Sequence, residues 1–178
     1  MISRGDLQHL LVTNNNGQTP LHVACLWGKP PLRVIRYLSS FRELLPMRDN
    51  DERTILHAAC DGEASVKVVK YLVDELGFDI AAVDCRGDVP LHRACRVGNV
   101  PIIEYLMEKD MTAIFARNNS NELPVHLLCS RSGKRDKVLE SVEYTGAILR
   151  LLLAWPETVD QASFPVPDIG TISLSDEV

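Results

Sequence analysis

The chain has 178 residues, a formal net charge of −5 at pH 7, and 46% apolar residues. This length suits one domain or a short array of repeats, and the apolar content is too high for a wholly disordered chain. With 19 basic residues against 24 acidic ones, the composition excludes a strongly basic nucleic-acid-binding protein. The longest apolar stretch, 147–155, is about half of what a bilayer requires, so we expect no membrane insertion.

The first thirteen residues precede the regular pattern that follows. A short amphipathic piece at 7–12 predicts that 1–13 is an N-terminal cap or a partial repeat. The same segment lacks the uninterrupted apolar core of a signal peptide. We therefore expect an intracellular protein, either cytoplasmic or nuclear.

A seven-residue pattern recurs four times along the chain, as TPLHVAC, TILHAAC, VPLHRAC and LPVHLLC. Its histidines are spaced 35, 35 and 34 residues apart, and they are His22, His57, His92 and His126. A second marker, the tyrosine of RYL, KYL and EYL, recurs twice at 34 residues, at Tyr37, Tyr71 and Tyr105. Two markers with one period indicate a repeat architecture.

Each unit predicts a polar turn, a short first helix and a second apolar helix. Thr19 and Thr54 are N-caps, whereas Val89 and Leu123 replace the cap in the later units at a cost of about 1 kcal/mol each. Pro20, Pro90 and Pro124 follow at the first helical position, and Gly28, Gly62 and Gly98 follow the first helices. The second helices are predicted at 32–39, 66–76, 100–108 and 145–155.

These elements divide the chain into four units, at about 14–47, 48–82, 83–116 and 117–155. The last unit contains an insertion of about 12 residues near 130–144, because its histidine-to-second-helix spacing is longer. Residues 156–178 carry acidic residues, prolines and no Lys or Arg, so we expect a disordered tail.

With these motifs in place, the sequence resembles the ankyrin-repeat family over residues 14–155. The resemblance implies an all-α solenoid of stacked helix–turn–helix units with turn fingers. It also implies a non-catalytic protein-interaction module without a cofactor, expected to be a monomer, whose concave groove binds another protein. The four histidines take a structural role, in which the imidazole ties the turn to the helix.

The resemblance places the candidate partner-binding residues at the turn tips and the exposed side of the first helices. They are Trp27, Leu26, Asn16, Gln18, Arg48, Asp51, Arg53, Cys85, Arg86, Asp88, Arg96, Arg117 and Glu122. A wider set adds Thr13, Asn15, Asn50, Asp61, Val83, Val97, Asn119, Ser120, Ser130 and Arg131. Trp27 is the first candidate for an anchor, since Trp and Arg are enriched at binding hot spots. Alternatively, Trp27 packs beside Leu26 and the following bend. The three tyrosines are predicted to pack between units.

Two other functions remain open at this point. The repeated His-x-x-Cys pattern and the turn residue Cys85 suggest a metal or redox sensor, although the cysteines that follow the histidines are expected to be small core residues. The chain is alternatively a targeting fragment of a larger protein. No catalytic motif supports an enzyme.

The negative charge is concentrated in the tail. Residues 157–178 hold five acidic residues and no basic ones, which leaves 19 of each sign in 1–156. The candidate groove set has more arginines than acidic residues. We therefore raise the hypothesis that the tail folds back as an internal competitor of the partner.

Overall fold

A computed structural model describes residues 11–130 and Gly146. Within these residues the chain forms seven α-helices and no β-strand. The helices are α1 (Pro20–Leu26), α2 (Leu32–Ser39), α3 (Ile55–Asp61), α4 (Val66–Lys70), α5 (Pro90–Val97), α6 (Val100–Lys109) and α7 (Pro124–Ser130). A wider π-type turn at Tyr71–Glu75 extends α4, and short 3₁₀ turns at Arg42–Leu44 and Met111–Phe115 follow α2 and α6.

The helices form two packed rows. The first row contains α1, α3, α5 and α7, each packed on the next, and the second row contains α2, α4 and α6. Leucines of the first row, such as Leu56 and Leu91, are buried against second-row residues such as Ile35, Val69 and Ile103 in one continuous core. A unit of two short helices buries its apolar face only by stacking on its neighbours. The predicted all-α repeat solenoid is thus confirmed.

Three of the four repeated cysteines lie in this core. Cys25, Cys60 and Cys95 have no exposed surface, and burial raises the pKa of the Cys25 thiol to about 12. Burial also raises the pKa of Cys60 and Cys95, so all three remain protonated small apolar residues at neutral pH. Cys129 is exposed, contrary to the prediction of a core position. It lies in α7, the last first-row helix of the described residues.

Each buried histidine bridges two units. In the second unit, the Thr54 backbone N–H donates to Nδ1 of His57 at 3.2 Å, and Nε2 of His57 lies 2.9 Å from the Asp88 carbonyl of the next unit. Because an N–H only donates and a carbonyl only accepts, the proton of the neutral ring sits on Nε2. His22 and His92 repeat the arrangement, with Nε2 against the carbonyls of Arg53 and Glu122.

The glycines after the first helices play different roles. Gly98 caps α5 in the left-handed conformation, at φ 76°, and its N–H donates to the Ala94 carbonyl. Gly62 follows α3 as predicted, but its backbone is extended, at φ −103°. A Cβ on Gly62 would lie 2.5 Å from the Leu26 carbonyl oxygen. Gly62 therefore permits the close approach of α1 to α3.

The second row confirms inter-unit packing for two of the three tyrosines. The Arg36 guanidinium lies 5.1 Å from the ring centroid of Tyr71, and Lys70 Nζ lies 5.3 Å from that of Tyr105. Tyr37 is exposed, and its aromatic contact is an edge-to-face one with Phe41 of its own unit. The prediction is wrong for Tyr37 because no described helix of a preceding unit covers it.

Several predictions fall outside the described residues. They concern the segment 1–10, the insertion near 130–144 apart from Ser130, which ends α7, the second helix at 145–155 apart from Gly146, and the tail at 156–178.

Candidate functional site

The turns between units form four equivalent fingers at residues 14–18, 49–53, 84–88 and 118–122. In each finger, the first side chain accepts hydrogen bonds from the backbone N–H groups two and four residues later. These finger-forming side chains are Asn14, Asp49, Asp84 and Asn118. The geometry explains why the sequence has Asn or Asp at this point, since only a short side chain with an acceptor reaches back to the turn.

The fingertips are hydrogen-bonded to one another in a row. The N–H of Asn50 donates to the Asn16 carbonyl at 3.0 Å, that of Cys85 to Asp51 at 2.9 Å, and that of Asn119 to Arg86 at 2.9 Å. These bonds fix the spacing of the candidate residues at the tips. Asn16 and Arg86 are exposed there, and Asp51 is half-buried.

Three exposed arginines lie in the fingers or directly before them. Arg48 donates through Nη1 to the Glu52 and Val83 carbonyls, both at 2.7 Å, and Arg117 donates to the Asn121 carbonyl at 3.0 Å. Arg86 is exposed at the third tip. These three side chains give the finger edge a positive character.

A network of charged side chains runs beneath the fingers, and we call it the charge ladder. Arg53 is 2.7 Å from Asp49, 3.4 Å from Asp51 and 3.5 Å from Asp61. Arg93, which takes the position of Val23 and Ala58 in the earlier units, is almost fully buried. The ladder has five carboxylates and three guanidiniums, those of Asp49, Asp51, Asp61, Asp84, Asp88, Arg53, Arg93 and Arg96.

The middle of the ladder is the most buried part. Arg93 pairs with Asp84, lies 3.4 Å from Asp88 and reaches Asp61 at 3.8 Å. Asp88 also accepts from Arg96 at 2.7 Å and from the Asn118 side-chain amide at 2.9 Å. Burial alone would raise the pKa of Asp84, but its bonds to Arg93 outweigh burial and hold that pKa below the usual value. The carboxylate therefore stays ionised at neutral pH.

Burial and ion pairing change the interpretation of several predicted groove residues. Gln18 and Asp88 are 3% and 0% exposed, so the expectation that they line an accessible groove is wrong. Gln18 is held by the side chain of Asn14, and Asp88 by the arginines described above. Arg53 and Arg96 are engaged with carboxylates of the same chain. Their positive charge is therefore largely neutralised within the molecule.

An open cleft of about 430 Å³ lies at the C-terminal ends of α1, α3 and α5. Leu26, Trp27 and Val97 form its apolar wall. Trp27 is 72% exposed, so the alternative in which it merely packs beside its neighbours does not hold. We call this feature the Trp27 cleft.

The rest of the lining of the Trp27 cleft consists of charged residues and glycines. They are Arg53, Asp61 and Glu63, with Gly28 and Gly62. Sequence reasoning missed Glu63. The loop after the first helix is one residue shorter in the second unit than in the first, so Glu63 has no periodic equivalent that would mark it.

The structure also bears on the metal and redox alternatives. Within residues 11–130, no group of three or more His, Cys, Asp or Glu side chains is arranged to hold a metal ion. Each of the three bridging imidazoles uses both ring nitrogens in the hydrogen bonds described above. Cys85 is exposed at its fingertip, as predicted.

No helix in the described part of the chain is long and apolar enough to cross a membrane. Comparison with known families identifies ankyrin repeats in this chain. The family model for ankyrin repeats in three copies matches residues 2–84, and the model for a single ankyrin repeat matches 86–119.

Three curated proteins are similar to the chain. It is 31% identical over 138 residues to a probable 26S proteasome regulatory subunit p28 of Saccharomyces cerevisiae, covering 75% of this chain and 58% of that protein. It is 25% identical over 117 residues to mouse Rabankyrin-5, covering 66% of this chain and 10% of that protein. It is 32% identical over 138 residues to SMC5-SMC6 complex localization factor protein 1 of Bos taurus, covering 74% of this chain and 13% of that protein. The chain thus spans less than two thirds of each relative.

Proposed function

Because the chain belongs to the ankyrin-repeat family, we propose that it is a non-catalytic module that binds a partner protein along its fingers and the Trp27 cleft. The observation that carries this proposal is the exposed indole of Trp27 at the wall of an open cleft. Large aromatic side chains anchor many protein interfaces, and an exposed one beside a cleft marks a surface available for binding.

The relatives are consistent with this function. Their names describe a regulatory subunit of the proteasome and a localization factor of another protein complex. Both are therefore described as parts of, or factors for, larger assemblies. Since two of the relatives are far longer than the matched region, we also propose that this chain acts with further protein segments.

The binding surface we propose contains the accessible residues of the predicted set. They are Leu26, Trp27, Asn16, Arg48, Asp51, Cys85, Arg86, Arg117 and Glu122, with Asp61 and Glu63 from the cleft. Arg53 and Arg96 position this surface through the charge ladder. The chain is proposed to act inside the cell, in the cytoplasm or nucleus, as a monomer and without a cofactor.

Affinity capture with matched variants tests the proposal. Trp27→Ala removes the indole from the cleft, and Tyr37→Ala removes an exposed aromatic side chain from the second row. We expect captured proteins to be lost with Trp27→Ala and retained with Tyr37→Ala, while thermal melting shows both variants folded. The proposal fails if the two variants capture the same proteins as the wild type.

A further inference from the structure

The lining of the Trp27 cleft combines aromatic and anionic side chains. The indole-bearing Trp27 and the carboxylate-bearing residues Asp61 and Glu63 all line it. Gly28 lines it as well, and a Cβ on Gly28 would meet no atom within 4 Å. An incoming side chain therefore has open space beside Gly28, in a cleft that both the indole and the carboxylates line.

The charged residues that line the cleft are more negative than positive, although the candidate residues counted along the sequence lean positive. They are Asp61, Glu63 and Arg53, two carboxylates and one guanidinium, which give a formal charge of −1. Arg53, the cation that lines the cleft, is shared among three carboxylates. Asp61 approaches Arg53 and Arg93 only at 3.5 and 3.8 Å, so its pairing is the loosest in the ladder.

These features favour a cationic occupant. A cation over an indole face is attracted by the ring, and Trp is the strongest partner among aromatic residues. An apolar occupant would cover Asp61 and Glu63 without replacing their hydrogen bonds to water, which is unfavourable. A planar guanidinium both stacks on an aromatic ring and donates two parallel hydrogen bonds to a carboxylate, whereas an ammonium group is a strongly hydrated point charge.

We propose that the Trp27 cleft binds an arginine side chain of the partner protein, with the guanidinium stacked on Trp27 and paired with Glu63 and Asp61. This inference rests on the proposed function, because it names the chemistry that the partner presents to the same surface.

A titration with small probes tests the inference on the full chain. The probe is N-acetyl-arginine amide, and the readout is the NMR signal of the Trp27 indole N–H, assigned with a Trp27→Phe variant because the chain has two tryptophans. We expect a saturable shift of this signal at millimolar probe. The lysine analogue should bind more weakly, and the citrulline analogue, a neutral isostere of arginine, should cause no saturable shift.

A pair of charge variants sharpens the test. Glu63→Gln should weaken arginine binding roughly threefold, which is the effect expected for one exposed ion pair. Glu43→Gln neutralises an exposed carboxylate in the 3₁₀ turn after α2 and should leave binding unchanged. Equal responses to arginine and citrulline, no response to arginine, or equal effects of the two variants would each overturn the inference.

The outcome is distinguishable from a failure of the proposed function. If Trp27→Ala abolishes partner capture while Glu63→Gln does not and the arginine probe is silent, the binding surface stands and the cationic occupant is wrong. If Trp27→Ala leaves capture unchanged, the proposed function itself fails.

Discussion

His57 and His126 occupy the same place in the sequence repeat but differ in what they hold together. His57 has no exposed surface, and its two ring nitrogens connect the start of its own helix to the carbonyl of Asp88 in the next unit. His126 is exposed, and its ring accepts from the N–H of Leu123 in its own unit at 2.8 Å. One residue type thus serves as an inter-unit bridge in one position and as a local cap in the other.

Replacing these two histidines should therefore have unequal effects. His57→Ala removes a buried ring together with its hydrogen bonds to Thr54 and Asp88, and we expect it to lower the free energy of unfolding by about 2–4 kcal/mol. His126→Ala removes an exposed ring and its hydrogen bond from the Leu123 N–H, and it should cost about 0.5–1.5 kcal/mol. Urea denaturation of both variants measures the difference. Equal losses would show that the bridge to Asp88 contributes nothing.

The buried histidines also predict the direction of the pH dependence. Burial lowers the pKa of His22, His57 and His92 below the ordinary 6.5. Below about pH 6.5 the unfolded chain binds protons that these folded imidazoles do not, so stability should fall as the pH drops from about 7.5 to 5.5. Asp49 and Asp84, whose pKa values are held low by arginines, add a further loss only below about pH 4.

Urea denaturation at these two pH values checks this prediction. The wild type should be less stable at the lower pH, and the difference should shrink in His57→Ala, which lacks one of the three titrating rings. The same or greater stability at pH 5.5 would contradict the role assigned to the buried rings.

At the scale of the element, Glu52 of the second finger and Cys85 of the third finger depart together from a pairing that other fingers make. The fourth residue of each finger is in the left-handed conformation. It is glycine at Gly17 and Gly87, glutamate at Glu52 with φ 59°, and asparagine at Asn121 with φ 62°. The finger that follows Gly17 carries Asn50, and the finger that follows Gly87 carries Asn119. The side-chain amides of these asparagines donate to the carbonyls of Asn15 and Cys85 in the preceding fingers. A Cβ on Gly17 would lie 2.3 Å from Oδ1 of Asn50, so the asparagine requires the glycine. After Glu52 the equivalent residue is Cys85.

This pairing predicts a positive coupling between two substitutions. Glu52→Gly removes the backbone strain of a left-handed glutamate, and Cys85→Asn then gains the amide bond made by the other fingers. We expect Cys85→Asn alone to be destabilising, because its amide meets the Cβ of Glu52. In a double-mutant cycle, the double variant should have a free energy of unfolding about 1 kcal/mol higher than the sum of the two single-variant changes predicts. Additive effects would contradict the steric explanation of Cys85.

At the scale of the whole molecule, the last described unit buries its repeated histidine and cysteine less than the other units do. His126 and Cys129 are exposed in α7, whereas their equivalents in the first three units are buried. Leu123 also supplies no cap hydroxyl. In a stack whose stability depends on neighbouring interfaces, such a unit opens first.

Hydrogen exchange measures this order of opening. Backbone amides in α7 should exchange earlier than those in α3 and α5, because the stack opens at its weakest interface before it unfolds globally. Protection of α7 equal to or greater than that of α5 would contradict this prediction.

The sequence predicted much of the fold because the repeat sets the local structure directly. His57 recurs at a fixed period in all four units, Thr54 has its equivalent in Thr19, and the hydrogen bonds between Thr54 and His57 are made within three residues. The candidate site was harder to predict, because its properties depend on contacts between units. Arg53 and Asp88 read as accessible groove charges, yet the structure pairs Arg53 with carboxylates and buries Asp88 beside Arg93. Position along a repeat does not reveal such pairing.

A partner protein that binds at the Trp27 cleft comes within reach of a photoreactive group at position 27. Site-specific photo-crosslinking measures this contact, with benzoylphenylalanine placed at position 27 in one variant and at position 37 in another. We expect discrete cross-linked adducts from position 27 that are competed away by excess unlabelled wild-type chain, and none from position 37. Adducts formed equally from both positions, or from position 37 alone, would contradict it.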